Sequence, residues 1–193
     1  MLIRKYETYS AYVRHQISKG AQPAMQRRLA EMRAERMETL LAELAAVKCH
    51  VPAGASGVCL GARAGEEVEV LSRLGYRVIG IDLLPLSPLV RRGDFHQMEF
   101  EDGQFDFAYC NSVDHVLYPQ RFAHEVDRVL KRPGWIILRI GLGMYGRYES
   151  LRVDTVEEVV AWFCGWELVD RWERGEGTSR RINLVLRKER NET

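Results

Sequence analysis

The segment Ser56-Gly57-Val58-Cys59-Leu60 is a short apolar strand that runs into Gly61-Ala62-Arg63-Ala64-Gly65 and then into a helical stretch. Small residues at such a turn let the backbone approach a ligand closely, and N–H groups at a helix start favour anionic groups. Seventeen residues after Gly65 stands Asp82, which closes a second apolar segment, Val78-Ile79-Gly80-Ile81-Asp82. Ligands of open parallel sheets lie at the carboxyl ends of the strands, and an acid there can hold both hydroxyls of a ribose. The competing reading makes Asp82 a turn or N-cap residue, because Leu83 and Pro85 follow it. A second carboxylate, Asp94 of Arg91-Arg92-Gly93-Asp94-Phe95, suits an exocyclic amine. Leu83 and Phe95 can then sandwich a purine, although a Gly-Asp pair by itself is more often a surface turn.

A second group of polar residues follows the apolar segment Phe105–Cys110: Asn111-Ser112-Val113-Asp114-His115. An imidazole with its ordinary pKa of about 6.5 suits proton transfer near neutrality, so His115, with Asp114 beside it, is a candidate base. The alternative is a His115 that only caps or hydrogen-bonds the helix after it. His96, in a turn, and His124, beside Glu125, have weaker claims. Adjacent residues of an extended segment point to opposite sides, so Asp114 and His115 do not suggest a metal site, and none is expected. The chain contains neither Gly-x-x-x-x-Gly-Lys-Ser/Thr nor Tyr-x-x-x-Lys, which disfavours an ATP-cleaving P-loop and a nicotinamide oxidoreductase.

The elements that must carry these residues alternate. Helical patterns over 65–74 and 119–131 separate the apolar segments, and Pro133-Gly134 turns the chain into Trp135–Ile140. A helix from Thr155 to Phe163 opens on Asp154 or Thr155 as N-cap, with Glu157 and Glu158 in its first turn. Such alternation implies a doubly wound α/β sheet. Two last strands, Trp166–Trp172 and Ile182–Arg187, are joined only by a short turn, Arg174-Gly175-Glu176-Gly177, and must pair antiparallel. Ahead of the sheet, residues 1–48 read as a helical cap: Met25, Leu29, Met32, Met37, Leu40, Leu41 and Leu44 fall near helical spacing, and Tyr6, Tyr9, Tyr12 and His15 lie three apart. These helices either pack against the body, 49–193, or form a lid over a ligand.

Length and composition fit this plan. The 193 residues are 46% apolar and 28% charged, which suits one core with an appendage and argues against disorder. No apolar run reaches the ~20 residues of a membrane span, and the N-terminus lacks the apolar stretch of a signal peptide, so a cytoplasmic location is expected. Cys49, Cys59, Cys110 and Cys164 show no C-x-x-C spacing and read as buried free thiols. Net charge is +1, but residues 1–48 carry +4 and 171–193 carry +3, while the middle is acidic. Basic ends can meet an anionic substrate or simply be solvated faces. Without interleaved aromatic and basic residues, a nucleic-acid partner is not expected.

From Ser56 to Arg187 the chain resembles a class I S-adenosylmethionine-dependent methyltransferase. The similarity rests on VCLGARAG, VIGID, GDFHQMEFEDGQFDFAYCNSVDHV, EVDRVLKRPGWIILRI and the final hairpin WELVDRW/INLVLRK. It is most specific between Gly93 and Ile140, where it resembles the small-molecule group of that superfamily. The resemblance implies a three-layer α/β/α sandwich with a Rossmann-like seven-stranded sheet whose last strand is antiparallel. It implies S-adenosylmethionine as cofactor: Gly61, Ala62, Arg63 and Gly65 at the methionine moiety, Asp82 at the ribose, Leu83, Asp94 and Phe95 around the adenine, Asn111 near the sulfonium. It also implies methyl transfer to an oxygen, or less readily a nitrogen, of a small molecule, covered by the N-terminal helices and Leu142–Tyr148. Two positions depart from the family pattern: Cys59 stands where an acid is usual, and Arg63 where glycine is usual. A non-catalytic S-adenosylmethionine-binding or scaffold protein is the alternative.

Overall fold

The computed structural model describes residues 1–176 and 180–189. Seven strands form the central sheet: β2 (Ser56–Leu60), β3 (Arg77–Asp82), β4 (Val90–Arg92), β5 (Phe105–Cys110), β6 (Leu130–Ile140), β8 (Glu167–Arg174) and β9 (Arg181–Lys188). Their order is β4-β3-β2-β5-β6-β9-β8. The pairs from β4 to β6 are parallel, and β9 runs antiparallel to both neighbours. This is the Rossmann-like sheet with a reversed last strand expected from the short final turn, of which Gly177 lies outside the described residues. The helices are α1 (Tyr9–Gly20), α2 (Pro23–Glu31), α3 (Arg33–Leu44), α4 (Glu66–Arg73), α5 (Pro119–Val129) and α6 (Val156–Val160).

Each central strand is apolar on both faces because helices cover both. One core layer gathers Val58, Leu60, Phe122, Val126, Ile136 and Leu138; the other gathers Leu44, Val47, Leu71, Phe107, Tyr109 and Ile137. Gly57 lets the second layer close: a Cβ there would stand 2.4 Å from Cζ of the buried Phe107 ring. Gly57→Ala is therefore expected to destabilise the fold by about 1–3 kcal/mol, read as a lower urea midpoint. An unchanged midpoint would mean that the ring moves freely.

Several local expectations need correction. The amphipathic pattern from Pro23 is not one helix: it breaks at Met32, which leaves helical geometry between α2 and α3. Residues 1–48 are not wholly helical either, since β1 (Leu2–Ile3) pairs antiparallel with β7 (Leu151–Arg152). The last helix ends at Val160, short of Phe163, and its N-cap is Thr155, in a reciprocal capping box with Glu158. Of the four thiols, Cys59 and Cys110 are buried, but Cys49 and Cys164 are exposed. Among the described residues, no helix is long and apolar enough to cross a membrane.

Candidate active site

The carboxyl ends of β2, β3 and β5 open onto a cavity of about 450 Å³. That volume falls within the range of small-molecule sites. Gly61, Ala62, Arg63, Asp82, Leu83, Asp94, Phe95, Asn111, Asp114 and His115 all line it, so residues spread over more than fifty positions converge. Gly65 does not line it; with φ +81 it turns the chain into α4, where a Cβ would meet Ser87 Oγ at 2.7 Å. Gly61, at φ +74, likewise leaves no room for a side chain beside Ser112. The amides of Gly61 and Ala62 both donate to the Ile81 carbonyl, at 2.9 and 3.1 Å, so they hold the turn to β3.

Asp82, at the tip of β3, accepts at Oδ1 from Leu84 N–H at 2.8 Å and from Arg63 Nε at 3.3 Å, and at Oδ2 from the Arg63 backbone N–H at 3.3 Å. Asp82 thus fills the turn role and faces the cavity as well, so the two readings of it are compatible. Arg63 turns inward onto this acid and packs against Gly20 at the end of α1.

The wall that carries Asp94 is built on a buried histidine, His96. Asp94 accepts from the hydroxyl of Tyr9 and from His96 N–H at 2.8 Å. Burial opposes its charge, but bonds from His96 and Tyr9 outweigh burial and hold its pKa below the usual carboxylate value. His96 Nε2 accepts from the N–H groups of Leu117 and Tyr118, each at 3.2 Å, which makes it a structural clamp between the β4 exit and α5.

At the other end, Asn111 donates to Glu67 and accepts from Ser112 Oγ at 3.1 Å. His115 is buried. Its Nε2 lies 2.9 Å from Lys19 Nζ, while Nδ1 has no partner. Burial pushes the pKa values of both His115 and Lys19 down; the neighbouring Asp114 works against this, Lys19 lowers that of His115 further, and Arg63 lowers both. A neutral imidazole that accepts from Lys19 at Nε2 and carries its proton on Nδ1 satisfies this geometry. Tyr12 donates to the His115 carbonyl at 2.9 Å and is fully buried.

Lys19, Glu66 and Glu67 also line the cavity, and the sequence gives them no role there, whereas Tyr12 belongs to the three-residue aromatic spacing already noted. Lys19 gives no signal, because only the fold brings α1 to β5. Glu66 and Glu67 directly follow the glycine turn, a visible oddity that ordinary helix-start acids would also produce.

Residues 58–138 match the methyltransferase domain family. Several solved structures share the fold. One is the 1,6-didemethyltoxoflavin-N1-methyltransferase of Burkholderia thailandensis, solved with 1,6-didemethyltoxoflavin and S-adenosylhomocysteine. It aligns with a TM-score of 0.74 at 16% identity over 97% of this chain and 94% of that one. A possible histamine N-methyltransferase from Thermotoga maritima aligns with a TM-score of 0.61 at 20% identity, over 84% and 97%. The [4+2]-cyclase SpnF aligns with a TM-score of 0.65 at 16% identity, over 78% and 80%. No curated protein sequence matches. The match over residues 58–138 is to a methyltransferase domain, and the fold of the chain is the one these solved structures share.

Proposed function

We propose that the chain transfers the methyl group of S-adenosylmethionine to an oxygen of a small-molecule acceptor, with a nitrogen acceptor less favoured. The observation that carries this reading is the convergence of Asp82, Asn111, Asp114 and His115 on one cavity beneath the N-terminal helices. In the proposal, residues 49–193 hold the donor and residues 1–48 act as a cap. Met25, Leu29 and Met32 of α2 and its exit also line the cavity, which supports the lid reading.

The residues fit the cofactor: a buried acid at a strand tip for the ribose, Leu83 and Phe95 for the purine, and polar groups at the far end. When bound, S-adenosylmethionine supplies an electrophilic methyl group. Asp82 would hold the ribose hydroxyls where Arg63 Nε now lies. Asp94 keeps its acceptor capacity toward an amine beside Phe95. His115 takes the acceptor's hydroxyl proton at Nε2, in the place that Lys19 fills here, and Asp114 steadies the charge that results. Lys19 and the cap exclude water and hold the nucleophile in line, the alignment that supplies much of the acceleration in such displacements.

The ion pair between Arg63 and Asp82 favours the second reading, a scaffold that keeps the fold without turnover. The SpnF likeness shows that this fold also serves chemistry other than that of the named methyltransferases. A screen with labelled S-adenosylmethionine against small alcohols, phenols and amines separates these readings. Label on a hydroxyl supports the proposal, label on amines alone makes the acceptor a nitrogen, and no label on any acceptor favours the scaffold.

A further inference from the structure

Two carboxylates in the cavity are left short of hydrogen-bond donors. Glu66 and Glu67 open α4 directly after Gly65, and their residues are only 1% and 3% exposed. Both oxygens of Glu66 and one oxygen of Glu67 have no hydrogen-bond partner; the other Glu67 oxygen accepts from Asn111. The closest cations come from the cap. Arg33 lies 3.9 Å from Glu66, and one Arg36 nitrogen lies 3.9 Å from each carboxylate, beyond hydrogen-bonding distance in every case. Leaving buried charged acceptors unsatisfied is costly, and the cost is recovered only if a donor arrives. Burial raises the pKa of Glu67 to about 7.

The chemistry of the donor follows from the shape of the set. Among the described residues, no group of three His, Cys, Asp or Glu side chains is arranged to hold a metal ion. A primary ammonium carries three N–H donors on one compact charge, which matches three unpartnered oxygens on two side chains. Arg36, close to both acids but bonded to neither, is placed to meet an anion carried by the same ligand. An α-amino acid tail has both charges one carbon apart.

We propose that Glu66 and Glu67 form the subsite for the α-ammonium of the donor's methionine moiety, with Arg36 facing its carboxylate. This rests on the methyltransferase reading above. It moves the amino-acid contact from the tip of β2 to the first turn of α4. Cys59, fully buried in β2, then has no need of a charge, and a second acid there would only repel Glu67. It also reverses the expectation that the start of α4 attracts an anion, since its own glutamates already occupy that end.

Calorimetry with two ligands tests the subsite separately from the reading beneath it. S-adenosylhomocysteine carries the amino acid tail; 5′-methylthioadenosine carries the same nucleoside without it. Glu66→Gln and Glu67→Gln, which keep the side-chain shape, are each expected to weaken S-adenosylhomocysteine at least tenfold and to leave 5′-methylthioadenosine within twofold. The retained nucleoside binding also shows that each variant is folded. Unchanged S-adenosylhomocysteine affinity in both variants overturns the subsite while leaving the cofactor reading intact, and equal weakening of both ligands overturns it as a general structural effect. If the unaltered protein binds neither ligand, the cofactor reading fails and the subsite falls with it.

Discussion

Asp82→Ala is expected to weaken binding of S-adenosylhomocysteine by more than a hundredfold. Hydrogen bonds to a charged partner are worth about 1.5–3 kcal/mol each, and two ribose hydroxyls would lose one apiece; each 1.4 kcal/mol is a factor of ten. The ion pair with Arg63 offsets part of that gain in the unaltered protein, because ligand must displace it. Asp82→Asn separates ligand contact from local architecture. The amide oxygen can still accept from Leu84 N–H, so the turn survives, but the charge is gone. An intermediate loss of affinity with an unchanged melting temperature is the expected result for Asp82→Asn. Arg63→Gln should go the other way, or change little, since it frees the acid. Asp82→Ala binding as tightly as the unaltered protein would place the nucleoside elsewhere.

The second large effect concerns turnover. His115→Asn is expected to lower the methyl-transfer rate about 10²–10³-fold, the usual worth of a positioned general base, with little change in S-adenosylhomocysteine affinity. The pH profile provides a readout that loss of packing would not imitate. Burial lowers the pKa of His115 below its ordinary 6.5, so the imidazole is neutral and able to accept a proton at and above that pH. The rate should therefore hold level above about pH 6.5 and fall only as acid protonates the ring, with a limb displaced below 6.5. Lys19→Met removes a neighbouring positive charge, so the pKa of His115 rises and the acid limb moves to higher pH. A profile of His115→Asn that keeps the same acid limb would assign that limb to another group and leave His115 as a structural residue.

The sequence carries much of this arrangement because its strongest signals are local. The β2–α4 turn, the Asp82 strand end and the final hairpin each depend on a few neighbouring residues, and each appears at the expected place. What escapes depends on chain closure. β1 and β7 are two residues long and pair across nearly the whole chain, so neither has a pattern of its own. The break at Met32 has no glycine or proline to announce it. β4 is a three-residue edge strand on the path from Leu83 to Asp94. In the site, residue identity gave position along a strand or turn but not the partner. That Arg63 meets Asp82, that Tyr9 reaches Asp94, and that Lys19 faces His115 are consequences of α1 lying over the sheet. The burial of Glu66 and Glu67 is similarly invisible, because helix-start acids are common on exposed helices.

The central claim is that an adenosine lies across the tips of β2 and β3, with its ribose on Asp82. A crystal structure of the protein with S-adenosylhomocysteine tests it directly. The account predicts both ribose hydroxyls on the Asp82 carboxylate, the purine between Leu83 and Phe95, and Arg63 moved off the acid. Nucleoside density outside this cavity, or a ligand bound with the Arg63–Asp82 pair intact and the ribose remote from it, would contradict the account.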